Sequence, residues 1–472
     1  MNANGDSLGE RDRCAIVIGG SMSGLLAARI LTQHFERVTI IERDRFPEQP
    51  AHRPGIPQSY HVHVLLDRGR RILESLFPGF QEEIVAAGAH PLDMSADLPW
   101  LTPFGWAARF PTDLVLLSCS RLLLEWLVRR RLAAFPQVEW IQETQVQELL
   151  PEAEGTGVAG VLLGKNGREE RLSADLVVDA SGRASKAPHW LQNLGYSSPS
   201  ETIVNARISY ASRLYQRPDN FQADWQGVLF QAAPPLQPRG AILFPLEGDL
   251  WIATLASGGG DYPPTDEAGF LEFARSIPHC QIYDLLQEAE PQSPIYGYRD
   301  IQNRLRHYER LSRLPDGFVA IGDSVCAFNP IYGQGMSAAA VSALVLDRAL
   351  NRQRQRDPQG SLAGFSRHFH QQLARSNAPL WQLASSEDCR YRSVTGLSPT
   401  FAMRLMHRYM DRVVALTTKS VFARRTMLNI FNLLEPPSAV FHPRIAVQVL
   451  KPSKIANPPP FAPISTQGRL FQ

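Results

Sequence analysis

The chain has 472 residues, of which 44% are hydrophobic and 20% charged, with 48 Lys and Arg against 46 Asp and Glu for a formal net charge of +2. That length fits two to four domains, or one large α/β unit with insertions, and needs no disulfide or metal to hold its core. The charge balance excludes a surface built generally for nucleic acid.

The first predicted element is a buried strand at 14–18, with the sequence Cys-Ala-Ile-Val-Ile. A glycine-rich turn, 19–24, and a run of helix formers, 25–31, follow it. A second strand at 38–41 ends in Glu42. Together these make a βαβ unit. Two later segments repeat the strand-then-glycine pattern, 174–185 and 317–323, the second leading into 329–337 and a helix to about Arg356. Between them, 206–215, 240–244 and 250–255 read as strands of an inserted antiparallel sheet. Beyond 356 the chain reads as helical, and 401–434 holds six Lys and Arg against one acid. Pro458 to Pro460 mark a tail, 451–472, expected to be extended or disordered.

Five cysteines, Cys14, Cys119, Cys280, Cys326 and Cys389, form no CxxC pair, which excludes a zinc ribbon or thioredoxin-like site. An odd, sparse count fits a reducing compartment. The longest apolar run, 15–28, is broken by three glycines and two serines, so no membrane span is expected. Asp6, Glu10, Arg11 and Asp12 precede it, the wrong pattern for a signal peptide. The expectation is a soluble, cytoplasmic protein.

The 19–24 turn matches G-x-G-x-x-G imperfectly. Gly19 and Gly24 hold the outer positions, Ser21 stands where the second glycine is expected, and Gly20 is beside it. The motif demands a tight turn, close backbone approach to a pyrophosphate, and a helix start aimed at that charge. Ser21 is small, and its hydroxyl can donate to a phosphate. Glu42 is placed to accept from ribose hydroxyls. Ser23 and Arg43 complete the candidate contacts at this end. A tight turn with no ligand is the alternative, weakened by the strand before, the helix after and the acid beyond.

The third segment identifies the dinucleotide. Gly322-Asp323-Ser324, then Pro330 and Gly333-Gln-Gly-Met336, resembles the flavin-ribityl motif of the glutathione-reductase-type FAD fold. Its form is similar to that of group A flavin monooxygenases, G-D-A, a spacer, then P-x-x-G-Q-G. The resemblance implies that Asp323 bonds the ribityl chain and that a helix opens near Gly335 and Met336 at the pyrimidine edge of the flavin. That helix start would favour the reduced, anionic ring by up to ~2 kcal/mol. Ser118-Cys-Ser-Arg121 and the helix after it resemble the family's S-R-x-x-L-x-x-x-L element, which implies Arg121 on the FAD phosphates. A solvated arginine at a helix start is the alternative. The middle motif departs from the family: A-D-G-x-x-S is Ala180-Ser-Gly-Arg-Ala-Ser185 here, with Ser181 in place of an aspartate that helps organise the nicotinamide cofactor.

The resemblance covers about 13–440. Arg53-Pro-Gly-Ile-Pro-Gln-Ser-Tyr-His-Val-His63, 65–69, 77–79, 303–308 and 327–335 are similar to the flavin-dependent epoxidases of polyether biosynthesis. The implied architecture is an α/β, Rossmann-like FAD domain of 1–95, 110–195 and 300–356. A substrate-domain sheet at 196–299 and a helical region at 357–450 complete it. The 58–63 segment then runs past the flavin ring. His61 and His63 stand two positions apart, and one of them is expected to face the ring. His61, with Gln58, is the catalytic candidate, and a structural hydrogen-bonding histidine is the alternative. No third ligand accompanies the H-x-H pair, so no metal is expected.

The implied chemistry is oxygen transfer from a flavin C4a-hydroperoxide, epoxidising or hydroxylating an apolar polyketide-like, terpenoid-like or aromatic substrate with O2. An apolar pocket is expected between the FAD domain and the inserted sheet. Trp106, Phe230, Phe244 and Trp251 are candidate walls or ordinary core. The 401–417 stretch reads as a core helix, a methionine-rich lid or a membrane-surface helix. Gly258 to Gly260 run into prolines, so no second nucleotide unit is expected. NAD(P)H then binds transiently, or a separate reductase supplies reduced flavin. An alkene reductase of the geranylgeranyl-reductase type shares these motifs. A flavin halogenase fits poorly, because W-x-W-x-I-P is missing and the first lysine is Lys165. A non-catalytic lipid-binding scaffold like the Rab GDP-dissociation inhibitors would not require Asp323 or 333–336.

Overall fold

The computed structural model describes residues 13–153, 157–165, 167–278 and 281–451. Cys280, the residues before 13 and the proline-rich tail beyond 451 lie outside them.

A five-stranded parallel sheet carries the glycine motifs. Its order is Phe318–Ala320, Leu176–Asp179, Cys14–Ile18, Arg37–Ile41, Val138–Ile141. Cys14–Ile18 is central because its apolar residues have core on both faces: Ile16 and Val17 are at most 1% exposed. Ile18 pairs with Asp179 on one side and Ile41 on the other, so three strands end at one edge. In open parallel sheets, ligands bind at that carboxyl edge.

The turn after Ile18 needs its glycines. Gly19 has φ +102°, and a Cβ on Gly24 would stand 1.8 Å from the Gly19 carbonyl oxygen. Helix Met22–Leu31 then packs against the long helix Gly335–Arg356, which begins at the third motif. Both are rich in small apolar residues, which allows close contact.

The second sheet has nine strands and is antiparallel except where Val228–Phe230 runs parallel to Trp100–Thr102. Strands Glu201–Gln216, Gly240–Leu246 and Leu250–Ser257 extend past the predicted limits. Trp100–Thr102, Gly105–Trp106, Tyr296–Arg306 and Cys326–Ala327 join from outside 200–300 or cross its edge. A three-stranded antiparallel sheet, Gln145–Pro151, Val158–Lys165 and Arg168–Ser173, lies beside the parallel one. The C-terminal region is helical, with Phe365–Asp388, Phe401–Thr417, Val421–Phe431 and Pro443–Leu450. Thr400 and Ser420 cap two of these, accepting from Met403 N and Ala423 N at 3.2 Å each. No helix among the described residues is long and apolar enough to cross a membrane.

Candidate functional site

A cavity of about 1230 Å³ runs from the carboxyl edge of the parallel sheet to the second sheet and the C-terminal helices. Pockets for one small molecule hold roughly 300–1,000 Å³, so this one has room for more than a single drug-sized ligand. Ser21, Ser23, Arg43, Gln58, His61, Arg121, Asp323, Pro330, Gly333, Gly335 and Met336 all line it. Gly19, Gly20, Gly24 and Glu42 do not.

The glycines act from behind the cavity wall by shaping the turn. Glu42 is 5% exposed and turned inward. Its Oε2 accepts from Gly20 N at 2.8 Å and pairs with Arg53 at 3.0 Å, and its Oε1 accepts from Asp44 N at 3.0 Å. Arg53 also pairs with Asp44 at 3.0 Å and Glu125 at 2.9 Å. Burial alone would lower the Arg53 pKa, but Glu125 and Glu42 reverse the shift and raise it.

Arg121 opens helix Arg121–Leu132, with Ser120 as its cap at 3.1 Å from Leu123 N. It is not a solvated helix-start arginine, being only 5% exposed. Its Nη2 donates to Ser21 Oγ at 2.8 Å and Glu125 Oε2 at 2.6 Å, and its Nη1 to Met336 Sδ at 2.7 Å. Burial works against the Glu125 carboxylate, but Arg121 and Arg53 outweigh it and hold its pKa below the usual range. Arg121 therefore joins the first motif, through Ser21, to the third, through Met336, and its Nε is buried with no hydrogen-bond partner among the described residues.

Asp323 follows Gly322, where φ is +61° and a Cβ would meet Ser23 Oγ at 2.2 Å. The carboxylate is deep in the protein, yet its side chain keeps 43% of its accessibility because it faces the cavity. Burial raises its pKa, with Arg183 and Arg121 acting the other way. Arg183 Nε stands 3.8 Å away, beyond hydrogen-bond range. At the start of helix Gly335–Arg356, a Cβ on Gly335 would meet nothing within 4 Å.

These features fit FAD. An arginine N–H with no partner among the described residues lies beside Ser21 where the phosphates are expected, and Ser21 Oγ would turn from Glu125 Oε2, to which it donates at 3.0 Å, to reach one. A carboxylate without a donor suits a polyol, and a helix start opens on free space.

Both histidines face the cavity, as residues two apart on one face of an extended segment can, rather than one of them alone. Pro57 starts a 3₁₀ turn, Pro57–Tyr60, and the chain after it is irregular up to the helix at Asp67. His61 Nδ1 bonds Ser212 Oγ at 2.9 Å, Ser212 bonds Thr254 Oγ1 at 2.7 Å, and Tyr210 meets the ring edge-on at 4.4 Å between centroids. Burial, then His63, pushes the His61 pKa down to about 3. Burial, then Arg121, pushes His63 down to about 4. Both rings are neutral at pH 7. His63 Nδ1 donates to the His61 carbonyl at 2.9 Å, which leaves its Nε2 as an acceptor.

Ser181 donates through N and Oγ to Asp179 Oδ1, and Ser185 Oγ donates to Asp179 Oδ2. Asp179 is fully buried and ties this loop to its strand. Of the candidate walls, Phe230 and Phe244 line the cavity. Trp251 is core at 1% exposure, and Trp106 packs against the second sheet's core. Trp100 and Phe104 line the cavity instead, a role their sequence surroundings did not mark. Helix Phe401–Thr417 contributes Arg404, His407, Met410, Asp411 and Val414. Met410 is the one methionine of this helix at the cavity, and Phe401, Leu405 and Met406 are exposed.

No protein-family model matches the chain. Protein Rv3254 of Mycobacterium tuberculosis (strain ATCC 25618 / H37Rv) is 34% identical over 391 residues, 81% of this chain and 81% of that protein. The chain belongs to the Rv3254 family. Among solved structures it is similar to the flavin-dependent brominase Bmp2, with TM-score 0.63, 16% identity and coverage of 89% of this chain and 92% of that one. PqsL of Pseudomonas aeruginosa, a probable FAD-dependent monooxygenase, matches with TM-score 0.57, 18% identity and coverage of 81% and 98%. The p-nitrophenol 4-monooxygenase PnpA of Pseudomonas putida matches with TM-score 0.61, 17% identity and coverage of 90% and 99%. At such identities the likeness is one of fold. This member of the Rv3254 family has the FAD-binding fold of flavin-dependent monooxygenases and halogenases, as its motifs implied.

Proposed function

We propose that this chain is an FAD-dependent monooxygenase acting on an apolar small molecule. The observation that carries this reading is one continuous cavity. Its first end presents Ser21, Arg121, Asp323 and Gly335, and its second end is walled by Leu98, Trp100, Phe230, Phe244 and Leu428.

FAD, when bound, supplies electron transfer and oxygen activation. Arg121 and Ser21 would hold its phosphates, and Asp323 its ribityl hydroxyls. Glu42 and Arg53 keep the glycine turn in shape from behind. His61, neutral and oriented by Ser212, offers a hydrogen bond to a reacting oxygen without donating a charge, with Gln58 beside it on the cavity wall. The apolar end binds the substrate and excludes water. Reducing equivalents come from transiently bound NAD(P)H or from a separate flavin reductase. Among the described residues no lysine lines the cavity, which disfavours halogenation.

The test is to photoreduce the FAD-loaded protein anaerobically and mix it with oxygenated buffer in a stopped-flow spectrometer. A transient absorbing at shorter wavelength than oxidised flavin, ahead of full reoxidation, supports oxygenation. Direct return to oxidised flavin contradicts it and favours alkene reduction.

A further inference from the structure

Helix Val421–Phe431 turns one face to the cavity. Arg424, Met427, Leu428 and Phe431 all line it, a spacing of three, four and seven residues. Three of these four are apolar, and the fourth is a cation. We propose that Arg424 is the anion-recognition residue of the substrate end, so that the substrate is an apolar molecule bearing a carboxylate. This assignment rests on the oxygenase reading for its chemistry, but on the cavity alone for its ligand.

Arg424 is 5% exposed, and its Nε is buried without a hydrogen-bond partner. Its one hydrogen bond among the described residues is long, Nη2 to the Met94 carbonyl at 3.5 Å. It forms no ion pair among the described residues, although its neighbour Arg425 reaches Asp113 at 2.7 Å. The protein's other buried arginines are well supplied. Arg53 meets three carboxylates, Arg121 pairs with Glu125 at 2.6 Å, and Arg306 pairs with Glu201 at 2.8 Å. A structural role for Arg424 would call for similar partners, because an unpaired buried charge is costly.

The guanidinium instead lies over the Trp100 ring, 4.5 Å from its centroid, and Trp100 and Met94 also line the cavity. Stacking fixes the plane of the cation and leaves its edge for a ligand. That edge matches a carboxylate through two parallel hydrogen bonds. Burial pushes its pKa down to about 9, so it stays charged at neutral pH. Of the other charges on this side, Arg390 pairs with Glu387 at 2.7 Å and Asp411 at 2.8 Å, and Arg404, an exposed residue, donates to the Pro399 carbonyl at 3.0 Å.

The experiment is calorimetric titration of the purified full-length protein, with FAD added, using 2-naphthoate and its neutral isostere 2-naphthamide. Wild type should bind the naphthoate at least about tenfold more tightly than the amide, the value of a charge-assisted pair. In Arg424→Met and in Arg424→Gln that preference should vanish, with amide affinity retained as the sign of an intact cavity. The glutamine variant carries the test if the methionine variant does not fold. Equal affinities in wild type, undetectable naphthoate binding, or a preference surviving in a folded variant overturns the assignment. FAD retention is read in the same samples. Its loss contradicts the flavin reading, whereas loss of the naphthoate preference with FAD retained contradicts only Arg424.

Discussion

The Arg121 guanidinium donates through Nη2 to the Ser21 hydroxyl at 2.8 Å, across 100 positions of sequence. Ser21 occupies the place of a glycine in the first motif. The arginine keeps that hydroxyl against the cavity wall, next to an N–H that has no partner of its own. Arg121→Ala should therefore weaken FAD binding by about tenfold to a hundredfold, the worth of one charge-assisted hydrogen bond of ~1.5–3 kcal/mol. Fluorescence titration of FAD measures it. Unchanged affinity in a folded variant would move the phosphates elsewhere.

Asp323→Ala should weaken FAD binding by a similar factor, about tenfold to a hundredfold, through loss of the ribityl contact. The apoprotein should not suffer, because the carboxylate accepts no hydrogen bond among the described residues. Equal melting temperatures with lower FAD affinity is the expected pair of results. Wild-type FAD retention would show that the ribityl chain lies elsewhere.

Two glycines make opposite predictions. Gly24→Ala forces a Cβ to 1.8 Å from a carbonyl oxygen and should prevent stable folding. Gly335→Ala meets nothing within 4 Å and should gain up to about 1 kcal/mol of helix propensity. It should lose FAD affinity nonetheless, because the added methyl enters the space assigned to the flavin. Thermal melts and FAD titrations of the two variants separate the effects.

His61 should make the protein acid-sensitive. Its folded pKa, about 3, lies below the ordinary value of 6.5 because burial, then His63, opposes its charging. The unfolded state binds the proton first, so this contribution is fully present above pH 6.5 and is lost as pH falls toward 3. His61→Gln should reduce the drop in melting temperature between pH 7 and about pH 4.5. An unaltered drop would mean that the imidazole is charged in the folded protein.

Asp388 should act in the opposite sense. Its carboxylate accepts from Asn303 Nδ2 at 2.7 Å and from Asn329 Nδ2 at 2.8 Å, yet burial raises its pKa from 3.8 to about 7. The folded state holds the proton longer, so stability falls as pH rises from about 4 to about 7 and is level above. A rise from 3.8 to about 7 corresponds to on the order of 4 kcal/mol. The stability difference between wild type and Asp388→Asn, measured by urea unfolding at pH 5 and 7.5, isolates this slope from the histidines. A difference that grows in favour of wild type with pH contradicts it.

What was legible in the sequence was local. The strand, glycine turn and helix at 14–31 follow from apolar runs and from φ and packing demands at Gly19 and Gly24. Asp323 and 333–336 could be read for the same reason. Non-local pairing was not legible: Arg53 meets Glu125 across 72 positions, and nothing near either residue announces the other. The inward turn of Glu42 is part of that cluster. His63 joins His61 at the cavity because residues two apart share one face of an extended segment, which an expectation of a single histidine at the ring overlooks. Trp100 reached the cavity through a parallel pairing with Val228–Phe230 that no hairpin signal could reveal. The isolation of Arg424 is a fact about its surroundings, which its own helix does not encode.

The most direct test of the central claim is equilibrium titration of the purified protein with FAD, followed by flavin absorbance and fluorescence. The account predicts saturable binding of one FAD per chain, with a perturbed flavin spectrum from a largely buried ring. Absence of saturable binding, or a spectrum identical to free FAD at saturation, would contradict it.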